Sequence, residues 1–312
     1  MERAKMRFEI LLERYFGNFL KIVLTNLLFA VPSAVVFTAL YFLNIALFSG
    51  NISMPLMMTS IIFLFPFYAG VVAVCRNIAR GDENVPVAKT FISAIKTNFA
   101  PFILHGVVVY VIALLSVLSI SLYISFLSQS WIFYVILFFC ILIVLFLLYA
   151  VFYLPLMTIT YDIPLKFIYK NSFLMSFGEI KNNFFATLAL AVVFGICFTI
   201  TTFARTTTAL MIMLIVMWAL LVPATVTFMY VFFIYDGMSK MIDSKNEANK
   251  KKDSPDDEAA PEPVRNEYAD IDISTLRDTD EYIFHNGRMV KQSTLLHILR
   301  EREKNEKGDG NE

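Results

Sequence analysis

The sequence predicts an all-α membrane protein: six transmembrane helices as three antiparallel hairpins with cytoplasmic amphipathic elbow helices, plus a mostly disordered C-terminal tail. Three observations carry this. Of 312 residues, 58% are hydrophobic, 31 are Phe and only 17% are charged, more apolar surface than a water-soluble domain can cover. No Lys, Arg, Asp or Glu stands between Lys96 and Asp162, and with ~20 apolar residues needed per crossing that stretch must cross twice. Basic residues fall almost entirely on one side of the predicted hairpins.

Residues 1–16 place Phe8, Leu11, Leu12 and Tyr15 on one stripe and predict an interfacial amphipathic helix. The membrane domain, 17–237, follows, with charge-free spans at about 22–48, 52–75, 101–127, 131–157, 185–204 and 209–235. Polar breaks at Ser49-Gly50-Asn51, Ser128-Gln129-Ser130 and Arg205-Thr206-Thr207 pair the spans into hairpins. The N-terminal segment and the second and fourth loops hold twelve Lys and Arg; the first, third and fifth loops hold only Arg205. The bias predicts both termini in the cytoplasm. The first apolar run is too long for the apolar core of a cleaved signal peptide.

Ile95-Lys96-Thr97-Asn98-Phe99 and Ile180-Lys181-Asn182-Asn183-Phe184 each precede a span, and each unit closes on Tyr-Asp, at Tyr161-Asp162 and Tyr235-Asp236. A parallel duplication and chance matches in a biased composition both account for this. In the first elbow, Val87, Phe91, Ile95 and Phe99, with Ile92 beside them, predict the apolar face of a helix; Lys89, Ser93, Lys96 and Thr97 take the other. Pro164 starts a second such segment carrying Lys166, Lys170 and Asn171. In these elbows Lys reaches lipid phosphates, Asn bonds backbone where the helix turns, and Phe anchors at the acyl boundary. The docking or lipid-headgroup residues expected are therefore Arg76, Asn77, Arg80, Lys89, Lys96, Asn98, Lys170, Asn171, Lys181 and Asn183.

Catalytic chemistry is not expected. The spans hold no ionisable carboxylate, Lys or Arg of the kind that proton-coupled pathways use. Metalloprotease, serine-hydrolase and phosphate-loop signatures are missing; Cys75, Cys140 and Cys197 lack metal spacing, so no cofactor or metal is expected. His105 reads as an interfacial hydrogen-bonding residue. Pro32, Pro66, Pro155 and Pro223 predict span kinks, or carbonyls facing a wet cavity. Thr199, Thr201, Thr202, Thr206, Thr207 and Thr208 read either as hydroxyls bonded back to helix carbonyls or as an outer vestibule for a neutral polar ligand.

Residues 238–266 predict a disordered linker, and 267–312 a cytoplasmic tail with a hairpin about Asn286-Gly287 and a short helix through Leu295–Leu299. Residues 1–237 carry 13 basic and 8 acidic groups, net +5; the tail carries 13 and 18, net −5.

The order of Phe65-Pro66-Phe67-Tyr68-Ala69-Gly70, "VVAVCRNIARGDE" (71–83), "FISAIKTNFAPF" (91–102) and "PLKFIYKNSFLMSF" (164–177) resembles the YesL-like family of bacterial integral membrane proteins over roughly 20–237. The enlarged N-terminal hairpin and the long charged tail depart from it. The resemblance implies a protein of unknown function, typical of Gram-positive bacteria, whose genes sit beside those for carbohydrate uptake and breakdown. Read with the residues, it implies an inner-membrane accessory or regulatory protein. Its partners would be the lipid bilayer and a transporter subunit or sensor met by elbows and tail; no nucleic acid is expected. The alternative is a permease or channel for a neutral or lipid-like solute.

Overall fold

The computed structural model describes residues 7–82, 84–253, 278–279, 281–285, 288–293 and 296; the side chains of 241–253 and 283–290 are not described. Ten helices run α1 (Arg7–Gly17), α2 (Phe19–Phe48), α3 (Met54–Met58), α4 (Ser60–Arg80), α5 (Val87–Phe126), α6 (Ile132–Thr160), α7 (Leu165–Gly178), α8 (Ile180–Thr201), α9 (Thr207–Leu220) and α10 (Val222–Asp253) among the described residues. Five helical stretches are long and apolar enough to cross a membrane, and six if α9 and the first part of α10, bent by 48°, make one span. This is the helix complement of a multi-pass membrane protein.

The chain forms two compact units, one of residues up to 159 with 165–237, the other of 160–164 with the chain from 238 onward. The core of the first unit lies along α4, where Val71, Val72, Val74 and Cys75 are fully buried. Glycine sets the spacing between α4 and α5: a Cβ on Gly106 would stand 3.0 Å from both the Ile62 Cα and the Phe65 Cβ, and one on Gly70 would meet the Phe91 ring at 2.5 Å. Gly81 ends α4 at φ 89°, with the Asp82 N–H returned to the Asn77 carbonyl at 3.1 Å.

Several elements differ from expectation. The second span is in two pieces, α3 and α4. The sixth breaks at Leu221 (φ −129°, ψ −54°), because Pro223 cannot donate to the preceding turn. Pro32, Pro66 and Pro155 lie inside continuous helices, the setting in which a kink is expected, whereas α5 leaves helical geometry at Asn98 (φ −115°, ψ 17°), three residues before Pro101. The buried stripe of the first elbow is Val87, Phe91, Ala94 and Asn98; Ile92 and Phe99 face outward. On α1 only Leu11 and Tyr15 are buried, while Phe8 is exposed. The stretch expected to be an unstructured linker opens as helix, since α10 continues to Asp253 through residues such as Glu247, Ala248 and Lys250 that favour it. Residues 254–277 lie outside the described part.

In the second unit, β1 (Tyr282–His285) pairs antiparallel with β2 (Arg288–Lys291), in the register Tyr282 opposite Lys291 and His285 opposite Arg288. The expected turn, Asn286-Gly287, lies outside the described residues, as does most of the short helix beyond; Gln292 and Leu296 there are buried.

Gly106→Val pushes a branched side chain against the Ile62 backbone. It is expected to cost about 1–3 kcal/mol, read as a lowered unfolding midpoint in detergent, with Ser121→Val on the exposed part of α5 as the neutral control.

Candidate functional site

Two buried polar centres and one set of cross-braces organise the first unit. The first centre is the break between α9 and α10. Asn26 of α2, fully buried, donates from Nδ2 to the carbonyls of Leu220 and Leu221 at 3.0 and 3.1 Å and accepts the Ala224 N–H on Oδ1 at 2.7 Å. An unbroken helix would bond the Ala224 N–H to the Leu220 carbonyl. The amide of Asn26 is inserted into that bond and satisfies both halves.

Around it, the Cys75 thiol meets the Ala224 carbonyl at 3.3 Å and the Thr227 hydroxyl donates to Pro223 O at 2.7 Å. Tyr68 Oη lies 2.9 Å from both Thr227 Oγ1 and Tyr230 Oη. Tyr15 of α1 reaches Thr225 at 3.1 Å; burial raises the pKa of its hydroxyl, and the bond to Thr225 partly offsets this. The Phe152 ring stacks on Tyr230 at 4.6 Å.

The second centre is His105, fully buried on α5. Thr158 of α6 donates its hydroxyl proton to Leu154 O at 2.8 Å, leaving its oxygen to accept from His105 Nε2, 2.8 Å away. His105 Nδ1 then accepts from Tyr169 of α7, also at 2.8 Å. Burial raises the pKa of the Tyr169 hydroxyl, which therefore keeps the proton that it donates. The ring is a satisfied neutral link between three helices.

The cross-braces gather at one end of this unit. Arg14 donates to Ala79 O in the last turn of α4, and Arg76 donates to Ile159 O in the last turn of α6 at 2.9 Å while holding the Asn77 amide. Cations there complement the negative ends of both helices. Arg7 donates to Phe233 O at 2.8 Å and Asn182 Oδ1 at 3.1 Å, with Asp236 at 3.8 Å. That last pair is well exposed, so its contribution is slight.

Asparagines hold the helix junctions. Asn98 Nδ2 donates to the carbonyl four residues back, Ala94, at 2.9 Å. Asn183 bridges the bend at Glu179, donating to Ser176 O at 3.0 Å and Met175 O at 3.3 Å and accepting from Tyr153 at 2.9 Å. Asn98 and Asn183 are buried, so their amides face backbone rather than headgroups. Asn18, absent from the expected set, repeats the Asn98 arrangement: φ −117°, ψ 19°, and a bond to Arg14 O at 3.0 Å. Phe19, Phe99 and Phe184 follow these asparagines, and all three are exposed.

Of the other expected residues, Arg76, Asn77, Arg80 and Asn171 are half-buried, whereas Lys89, Lys96, Lys170 and Lys181 are exposed. The hydroxyls of Thr199, Thr201 and Thr202 donate to Gly195, Phe198 and Thr199 carbonyls of their own helix, and Thr206 caps α9 through the Ala209 N–H. Asn26 escaped the sequence reading although a signal existed: it is an amide inside an apolar run, and Pro223 in another span required a partner.

Residues 22–120 match the model of a family described as a protein of unknown function, DUF624. The match covers α2 to most of α5, and so includes Asn26, Arg76, Asn98 and His105. No curated protein and no solved structure matches the chain.

Asn26→Leu leaves the Ala224 N–H and the Leu220 carbonyl without partners. A loss of about 2 kcal/mol is expected, measured by unfolding in mixed detergent. Adding Pro223→Ala, which lets the helix close its own bonds, should restore part of it.

Proposed function

We propose that this chain is an inner-membrane accessory or regulatory protein whose elbows and tail form a cytoplasmic docking platform for a transporter subunit, sensor or other partner. The observation that carries the reading is the closure of the α9–α10 break. In carriers with discontinuous helices, the freed helix ends face the substrate or ion. Here Asn26 occupies both ends.

The threonine hydroxyls that would line an outer vestibule bond their own helix instead. The arginines at the cross-braced end hold carbonyls, and what faces outward is a set of lysines on the elbows. The basic bias of the loops assigns that end, and both termini, to the cytoplasm. Hairpin pairing of the spans follows from the short polar breaks between them. The YesL-like resemblance supplies a carbohydrate-uptake or envelope context in a Gram-positive bacterium, and its residues overlap the DUF624 match.

One observation favours a second reading, a permease for a neutral or lipid-like solute: the bend of 48° in the sixth span is the kind of discontinuity that moving elements use.

Crosslinking and co-purification from native membranes, comparing the full chain with one ended near residue 240, tests the platform. A partner held only by the full chain is the expected result. If both forms come down alone and reconstituted vesicles show solute flux that Asn26→Leu alters, the permease reading replaces it. Reversing Arg76 is unsuitable as a test, because its guanidinium holds the end of α6.

A further inference from the structure

We infer that α7 and the first third of α5 bind anionic phospholipid, lying in the headgroup layer as a pair of lipid-reading elbows; this rests on the cytoplasmic placement proposed above. On α7, Ile168, Ser172, Met175 and Ser176 form the buried stripe. The opposite face interleaves Lys166 and Lys170 with Phe167 (50% exposed), Phe173 (50%), Leu174 (46%) and Phe177 (45%). So much aromatic surface on a 14-residue helix is not left in water. Mixing it with lysines suits the boundary where rings enter the acyl region and ammonium groups extend to phosphate.

The first third of α5 repeats the pattern: opposite its buried stripe, Lys89 and Lys96 stand beside exposed Ile92 and Phe99. Charge selects the kind of lipid. Residues 84–161 and 163–178 hold no Asp or Glu, so neither elbow face carries its own counter-ion. By contrast α1, with an exposed Phe8 and Phe16, places Glu9 and Glu13 on its surface and is not assigned to the site. Elbow α7 also reaches the interior. Tyr169, next to Lys170, is the hydroxyl that holds His105, so lipid held on the outer face bears on the helix that carries the buried link.

The test uses the full-length protein reconstituted in mixed phosphatidylcholine and phosphatidylglycerol, then released for native mass spectrometry to count the lipids retained. Wild type should retain phosphatidylglycerol preferentially. In K89Q/K96Q/K166Q/K170Q the enrichment should fall by roughly tenfold or more at low ionic strength, while K89R/K96R/K166R/K170R keeps it. These side chains are exposed, and an unchanged unfolding midpoint confirms that the variants fold.

Equal retention of the two lipids by wild type, or undiminished enrichment in the glutamine variant, overturns the inference. Undiminished enrichment together with loss of a co-purified protein makes α7 a protein interface instead, which overturns the lipid site and leaves the platform standing. Lipid selectivity in a chain that captures no partner with or without its tail sinks the platform and leaves the lipid site.

Discussion

Backbone amides inside hydrocarbon have no water to bond, and at the break that Pro223 imposes at Leu221 it is Asn26 that supplies what water cannot. Its carboxamide has the same donor and acceptor as a peptide group, so it fits between the two halves of one helical hydrogen bond. Much else is arranged about that insertion. Tyr15 reaches the residue after Ala224, Cys75 reaches the Ala224 carbonyl, and Tyr68 and Thr227 carry the network onward to Tyr230. Helices α1, α2 and α4 are thus all tied to the first turns of α10.

The same chemistry recurs at several other places where the chain leaves a straight helix. Asn44 closes the turn after α2 by accepting the Ser53 N–H and donating to the Asn51 carbonyl, both at 2.8 Å. Asn18 and Asn98 stabilise nearly identical backbone breaks, and Asn183 spans a bend placed four residues earlier in its unit. The resemblance between "IKTNF" and "IKNNF" is therefore a resemblance of duty with a shifted bend. An Asn-Phe pair at Asn18-Phe19 repeats it at the start of α2.

Function and packing divide the polar residues between them. Arg14, Arg76, Asn26, Asn98 and Asn183 turn inward, to carbonyls and helix ends, where planar groups with several donors hold geometry well. Lys89, Lys96, Lys166, Lys170 and Lys181 stay outside on flexible stems. The first unit is thereby braced at one end by its own cations.

Composition and charge-free length fixed the all-α class, and the polar breaks at 49–51, 128–130 and 205–207 marked where helices end, because apolar length and turn chemistry are local properties. Positions of Lys and Arg predict an orientation by the same kind of local reading. Which polar residue answers which break was not legible. Asn26 and Ala224 are 198 positions apart, and nothing local in either run names the other. Which residues of the first elbow pack against the protein was not legible either. Val87 and Phe91 of the apolar stripe are buried, and they are joined by Ala94 and by the amide of Asn98 at the junction, while Phe99 stays exposed. Tertiary structure decided these pairings, because a buried hydrogen bond is specified only when both partners are brought together, and in an apolar medium leaving either one unmet costs more than bending the helix.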